Sequence, residues 1–424
     1  MADSLSIYKQ DTNFQARFKS RRTGWERNDA KPMRRLLSPA LFAVRHDPKM
    51  GNERSHTPGR GKFMTTTSIT RLYGLGLTPG KLRGLQRISN PNGTLTMVAT
   101  DQNSSMIKMM REAMKREPTY AEIVDAKVML SRALAPHCSG ILVDGYYGYA
   151  STVAAHAIPN STGVLIRVEK SGGGKNDVGA PIGEVEPGWS VAKIKRCGAD
   201  AVKLLAQFEP WEFDSAERNF ELTRQIYEQC VQHDILFLLE PLHFPYKVNG
   251  VEETKEQVIA RKAKTVIETA RYLSRYCDVY KAEFPGTLGV ESDQQLMDNL
   301  KRLNDACVKP WVLLSAGVDY DKYKKQVEMA MKAGASGVLG GRAFWKEFFT
   351  YPTPAERQKF AETECVRRVK ETDAIVQTGT PWFAKYGLTM EELHSIRATE
   401  GWHARYGGGS ASKATGPADP HAVY

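Results

Sequence analysis

The chain has 424 residues, 41% of them hydrophobic and 25% charged, with a formal net charge of +11. No apolar run approaches the roughly 18 residues of a membrane span, so a soluble, cytoplasmic protein is expected. The charge excludes less than it suggests: residues 1–63 carry a net +8 and the remaining 361 residues only +3, which marks a basic appendage rather than a nucleic-acid-binding body.

Residues 1–63 are polar, Arg-rich and without sustained apolar periodicity, and are expected to be a disordered N-terminal extension. Within them Met33–Arg45 is a short amphipathic exception. From Leu95 onward the chain alternates apolar runs with helical patterns. The runs are 94–100, 140–144, 163–168, 201–208, 235–240, 279–284, 311–316 and 337–340. Between them lie amphipathic stretches such as 121–134, 216–233, 255–276, 292–305 and 321–333. Strand–helix alternation repeated eight times predicts a single (β/α)8 TIM barrel over 64–350. A doubly wound open sheet is the alternative, but Thr100-Asp-Gln-Asn-Ser-Ser after the first run has none of the glycines its fingerprint needs. A helical C-terminal extension is expected over 351–406, with the aromatic-rich part from Pro381 packed on the barrel exterior, then a flexible tail over 407–424.

The six cysteines, at 138, 197, 230, 277, 307 and 365, include no C-x-x-C pair. They read as reduced thiols. The nine histidines show no H-x-H, H-x-x-H or H-E-x-x-H spacing, so no metal and no cofactor is expected.

Active sites of such barrels lie at the C-terminal ends of the strands. There the apolar runs deliver Asp101 and Gln102, then Asp144, Glu169 and Lys170, Lys203 and Gln207, Glu240, Lys281 and Glu283, Ser315-Ala316-Gly317, and Gly340-Gly341-Arg342. Strand period places Val279, Lys281 and Glu283 on one face. An amine on a buried face is costly unless paired or neutral, and a neutral amine is what Schiff-base chemistry requires. Two lysines with carboxyl groups in one pocket suit imine-forming aldol chemistry, although spacing alone does not say which lysine attacks. Ser-Ala-Gly after the seventh run and Gly-Gly-Arg after the eighth offer backbone N–H groups beside a guanidinium, the means by which a barrel grips phosphate.

The stretches Thr100-Asp101-Gln102, Ala201-Val-Lys203, Leu238-Leu-Glu240-Pro, Tyr280-Lys281-Ala-Glu-Phe-Pro285, Leu313-Leu-Ser315-Ala-Gly317 and Gly340-Gly-Arg342-Ala-Phe-Trp345 resemble the class I tagatose-1,6-bisphosphate aldolase family, which includes sulfofructose-phosphate aldolases. The resemblance runs from about Leu95 to Phe348. It implies a metal-independent homo-oligomeric barrel that cleaves a phosphorylated ketose, its substrate partner, to dihydroxyacetone phosphate and an aldehyde. It implies Lys281 as the Schiff-base lysine and Glu240 as the acid/base, with Asp101 and Lys203 orienting the C3 and C4 hydroxyls. Gln102, Ser315, Ala316, Gly317, Gly340, Gly341 and Arg342 are the implied substrate and phosphate contacts. One departure concerns the aldehyde half: the family reads Asp-Gln-Arg where this chain has Asn103 third. Arg167, Lys170 and Lys175 are the candidates to replace that arginine. The remaining readings are an aldolase for a sulfonated ketose, another Schiff-base lyase or transaldolase-type enzyme, and a non-catalytic barrel with a nucleic-acid-binding tail.

Overall fold

In the computed structural model of the chain, the described residues are 68–406 apart from Asn249. The expectations for 1–63 and 407–424 fall outside them. Eight parallel strands close into a barrel: β1 Leu95–Ala99, β2 Gly140–Asp144, β3 Gly163–Arg167, β4 Ala201–Gln207, β5 Leu236–Leu242, β6 Val279–Ala282, β7 Trp311–Leu314 and β8 Gly337–Gly340. Each lies within or overlaps one of the eight apolar runs. The seam is β1 against β8, where Leu95 pairs with Gly337. A Cβ at Gly337 would stand 2.0 Å from the Leu95 carbonyl oxygen, so only glycine lets the ring close there.

The α-helices that lead into the next strand are α1 Tyr120–Leu134, α2 Tyr149–Ala154, α3 Val191–Arg196, α4 Phe213–Gln232, α5 Lys255–Leu273, α6 Asp293–Ala306 and α7 Tyr320–Lys332, while a further helix, Ser104–Met114, stands between β1 and α1. α1, α5 and α6 open on capping boxes (Thr119 with Glu122, Thr254 with Gln257, Ser292 with Gln295), a start signal written in the sequence itself. An eighth helix, α8, comprises Pro354–Phe360, a π turn Ala361–Cys365 and Val366–Val376. It packs between α7 and α1, and its Asp373 accepts a hydrogen bond from Thr96 of β1 at 2.6 Å. Residues 354–376, expected in a C-terminal extension, thus take the eighth place in the outer ring. Among the described residues no helix is long and apolar enough to cross a membrane.

The barrel interior has two layers. Leu95, Met97, Leu142, Leu165, Ala201, Leu236, Leu238, Val279, Val312 and Leu339 form a dry lower layer. At the N-terminal mouth it is continued by Leu72, Leu77, Leu85 and Ile88 from the segment before β1, and by Trp382, Phe383 and Leu388 after α8. The aromatic segment was expected on the barrel exterior; instead it helps seal the mouth. An open apolar layer has to be covered, and these rings are buried in covering it. Two residues beyond Leu142, Leu165, Ala201, Leu238 and Val279 the same strands carry Asp144, Arg167, Lys203, Glu240 and Lys281, so there the inward positions turn charged. That upper layer is the candidate site.

Candidate active site

With a side-chain period of two, the inward set continues from Leu165 to Arg167, from Ala201 to Lys203, from Leu238 to Glu240 and from Val279 to Lys281. The dry layer beneath and the strand ends above leave Lys203 1% and Lys281 3% exposed. Their partners converge from neighbouring strands. Glu240 places Oε1 2.7 Å from Lys281 Nζ and Oε2 3.0 Å from Lys203 Nζ, bridging the two amines. Lys203 also meets Asp101 Oδ2 at 3.0 Å and Glu169 Oε1 at 2.7 Å. One lysine is thus surrounded by three carboxylates, and the other is paired with one.

The electrostatics follow from those contacts. Burial by itself would lower the Lys203 pKa, but Asp101, Glu169 and Glu240 outweigh it and raise the amine above its ordinary value. Burial would raise Asp101, yet Lys203, Lys281 and Arg167 bring it down to about 2. Glu240 is opposed by burial and held below the usual carboxylate range by Lys203 and Lys281. For Glu169 burial prevails over Lys203 and Arg167, and its pKa rises. Lys203 is therefore a fixed cation, and a protonated amine does not attack a carbonyl. Lys281 has one carboxylate oxygen beside it, placed to exchange a proton with it.

Glu283 does not belong to the Lys281 pair. β6 ends at Ala282, and Glu283 Oε2 instead accepts from the backbone N–H of His243 at 2.8 Å and contacts its ring Nδ1 at 2.7 Å. The strand period holds only as far as the strand does. Asp144 is also spoken for. Its Oδ2 pairs with Lys127 at 2.7 Å, and Oδ1 accepts from the N–H groups of Tyr146 and Tyr147. Lys127 was not singled out from the sequence. It lies on α1, fully buried, and its ammonium donates to the carbonyls of Thr100 at 2.7 Å and Gln102 at 3.1 Å, on either side of Asp101. The signal for it was present: Ile123, Lys127 and Leu130 follow the helical spacing that buries one face of α1.

On the β7–β8 side, Ser315 Oγ accepts from Gly341 N–H at 3.2 Å, tying the two loops together. Ala316 and Gly317 both have positive φ, 47° and 73°. Such a conformation in a non-glycine residue costs energy and turns the local N–H groups outward. A Cβ at Gly317 would lie 3.1 Å from Arg342 Cζ, so the guanidinium rests against that bare glycine. Among the described residues Arg342 has no ion-pair partner. Gly340 ends β8, and Gln102 approaches from β1: a Cβ on Gly341 would come within 2.9 Å of its Nε2. The seven predicted phosphate-side residues thus lie at the C-terminal ends of the adjacent strands β7, β8 and β1.

Residues 95–347 match the model of the family described as DeoC/LacD family aldolase. The chain is 30% identical over 341 residues to a tagatose 1,6-diphosphate aldolase of Listeria monocytogenes, covering 76% of this chain and 98% of that protein. It is 29% identical over 332 residues to one of Streptococcus agalactiae, covering 73% and 99%. Among solved structures, fructose-bisphosphate aldolase from Plasmodium falciparum superimposes with a TM-score of 0.58 at 13% identity, covering 71% of this chain and 95% of that one, which is a likeness of fold.

Proposed function

The chain belongs to the DeoC/LacD aldolase family, and on that premise we propose that it is a class I, Schiff-base aldolase for a ketose 1-phosphate or 1,6-bisphosphate of the tagatose type. Its products are dihydroxyacetone phosphate and an aldehyde such as glyceraldehyde 3-phosphate. The observation that carries this reading is Glu240 with one oxygen on each lysine, 2.7 Å from Lys281 and 3.0 Å from Lys203.

Lys281 Nζ attacks the C2 carbonyl, and Glu240 moves the protons of carbinolamine formation and of the loss of water that gives the imine. The C3–C4 bond then breaks: its electron pair enters the iminium as an enamine, and the C4 hydroxyl releases its proton as the aldehyde departs. Asp101 and Lys203 hold the C3 and C4 hydroxyls for this step. Protonation at C3 and hydrolysis release dihydroxyacetone phosphate and return Lys281. Lys203, kept charged by its carboxylates, supplies a fixed positive potential where negative charge develops on oxygen, a form of preorganised stabilisation. Ser315, Ala316, Gly317, Gly340, Gly341 and Arg342 hold the 1-phosphate, and Gln102 borders it.

Incubation with dihydroxyacetone phosphate and borohydride tests the reading. The expected result is covalent inactivation, with the mass increment on the peptide carrying Lys281 and activity indifferent to EDTA. Chelator inhibition that zinc reverses would overturn it. Arg342→Ala is expected to raise KM for the phosphorylated ketose about 10–150-fold through loss of a charge-assisted contact, measured by steady-state kinetics; an unchanged KM would place the phosphate elsewhere.

A further inference from the structure

The C-terminal rim sets Lys127, Arg167, Lys203 and Lys281 against Asp101, Asp144, Glu169 and Glu240. Three of these cations are committed. Lys127 pairs with Asp144, Lys203 with Asp101, Glu169 and Glu240, and Lys281 with Glu240. Arg167 makes no ion pair with any described residue, although its β3 position is matched in register to Asp144 on one side and Lys203 on the other. It is only 7% exposed. Nη1 donates to the backbone carbonyl of Asp101 at 3.1 Å, while Nη2 is shielded from solvent and has no acceptor. Buried donors are almost always paired, and leaving one unmade is costly. On the same rim Asn103 gives Nδ2 to Asp144 at 3.4 Å and leaves its buried Oδ1 without a partner.

The place of this open donor within the ring gives it meaning. In the closed strand order β3 stands four strands from β7 in either direction, so Arg167 faces the Ser315–Gly317 loop across the barrel. A ketose held by its 1-phosphate at β7 and β8, with C2 at Lys281 on β6, directs its far carbons toward β3. Among the described residues at the C-terminal mouth, Arg342 at one end of that path and Arg167 at the other are each without an ion-paired carboxylate. The other candidates are less suited: Lys170 is paired with Glu184 at 2.9 Å, and Lys175 lies exposed in the Gly174–Lys175 hairpin strand.

Resting on the aldolase reading above, we propose that Arg167 is the specificity-determining residue for the aldehyde half, its free guanidinium edge taking a terminal oxyanion, phosphate or sulfonate, at the carbon furthest from C1. The 1-phosphate and this terminal group are then bound by different strands, and the substrate spans the ring.

The test is the ratio of kcat/KM for an oxyanion-terminated ketose to that for the matching ketose 1-phosphate, in the full-length parent and in Arg167→Met. The substrates are tagatose 1-phosphate, tagatose 1,6-bisphosphate and a 6-sulfonated ketose 1-phosphate; the last two separate phosphate from sulfonate. The parent is expected to favour at least one oxyanion-terminated ketose by about 10–100-fold, the range of a charge-assisted contact, and Arg167→Met is expected to collapse that ratio toward one. Arg167→Lys recovers part of it, because an ammonium keeps the charge but loses the planar fork; it also carries the test if Arg167→Met does not fold. A ratio near one in the parent, or the same ratio in parent and variants, overturns the proposal. Trapping of the parent by dihydroxyacetone phosphate, which has no far end, separates the two failures. With trapping at Lys281 but no terminal preference, the aldolase reading stands and the Arg167 proposal falls; without trapping, both fall.

Discussion

Lys281→Met is expected to abolish both turnover and borohydride trapping, because it removes the nitrogen that forms the imine. Turnover should fall to background, since no other amine in the site is free to replace it: Lys203, the neighbouring lysine, is held charged by three carboxylates. The cost to the fold is smaller than the cost to activity. Glu240 keeps Lys203 at 3.0 Å as a counter-charge after Lys281 is gone, so circular dichroism and thermal unfolding should still report a folded barrel. Glu240→Gln separates the chemical steps: slow trapping at Lys281 persists, while multiple turnover is lost with the proton shuttle. If Lys281→Met still traps and Lys203→Met does not, the covalent lysine is the one on β4.

Lys203→Met has the second largest expected effect, and it falls on stability and rate together. The substitution leaves Asp101, Glu169 and Glu240 buried without their shared cation. Breaking a buried charge cluster by removing one member costs about 3–5 kcal/mol, readable as a fall in the urea midpoint. Trapping at Lys281 should survive in the folded fraction, while kcat drops about 10²–10³-fold with the loss of a preorganised charge. The pH dependence has a definite sign. In the parent, Asp101 is depressed from an unfolded value near 3.8 to about 2, chiefly against burial by Lys203. A depressed carboxyl contributes stability that is present above its unfolded pKa and lost as pH falls through its folded one. The stability difference between parent and Lys203→Met due to this pair is therefore full at pH 7 and shrinks between about pH 4 and pH 2. On the alkaline side Lys203, with a raised pKa, holds its contribution up to its unfolded value of 10.5 and loses it only above. A gap that widened on acidification would contradict the ion-pair geometry.

What the sequence by itself determined was the set of properties that local periodicity encodes. Eight apolar runs became eight strands, because a short apolar run alternating with amphipathic helical stretches specifies a strand covered on both faces. The same period carried Lys203, Glu240 and Lys281 to the inner face, and the chain order of Ser315–Gly317 and Gly340–Arg342 carried those residues to adjacent loops. Only the tertiary structure decided which charge meets which. Glu283 lies two residues from Lys281 but turns to His243, whereas Glu240, on another strand, bridges both lysines. Pairing across a barrel depends on the register between strands, and no single segment contains that register. Lys127 enters the rim from a helix rather than a strand, and Trp382 reaches the N-terminal mouth after α8 has completed the ring. Arg167, Lys170 and Lys175 are alike as cations in the sequence. They differ in burial and in whether a carboxylate lies within ion-pair distance, and folding settles both: Lys170 meets Glu184, Lys175 is exposed, and Arg167 is buried with none of the rim's carboxylates at ion-pair distance.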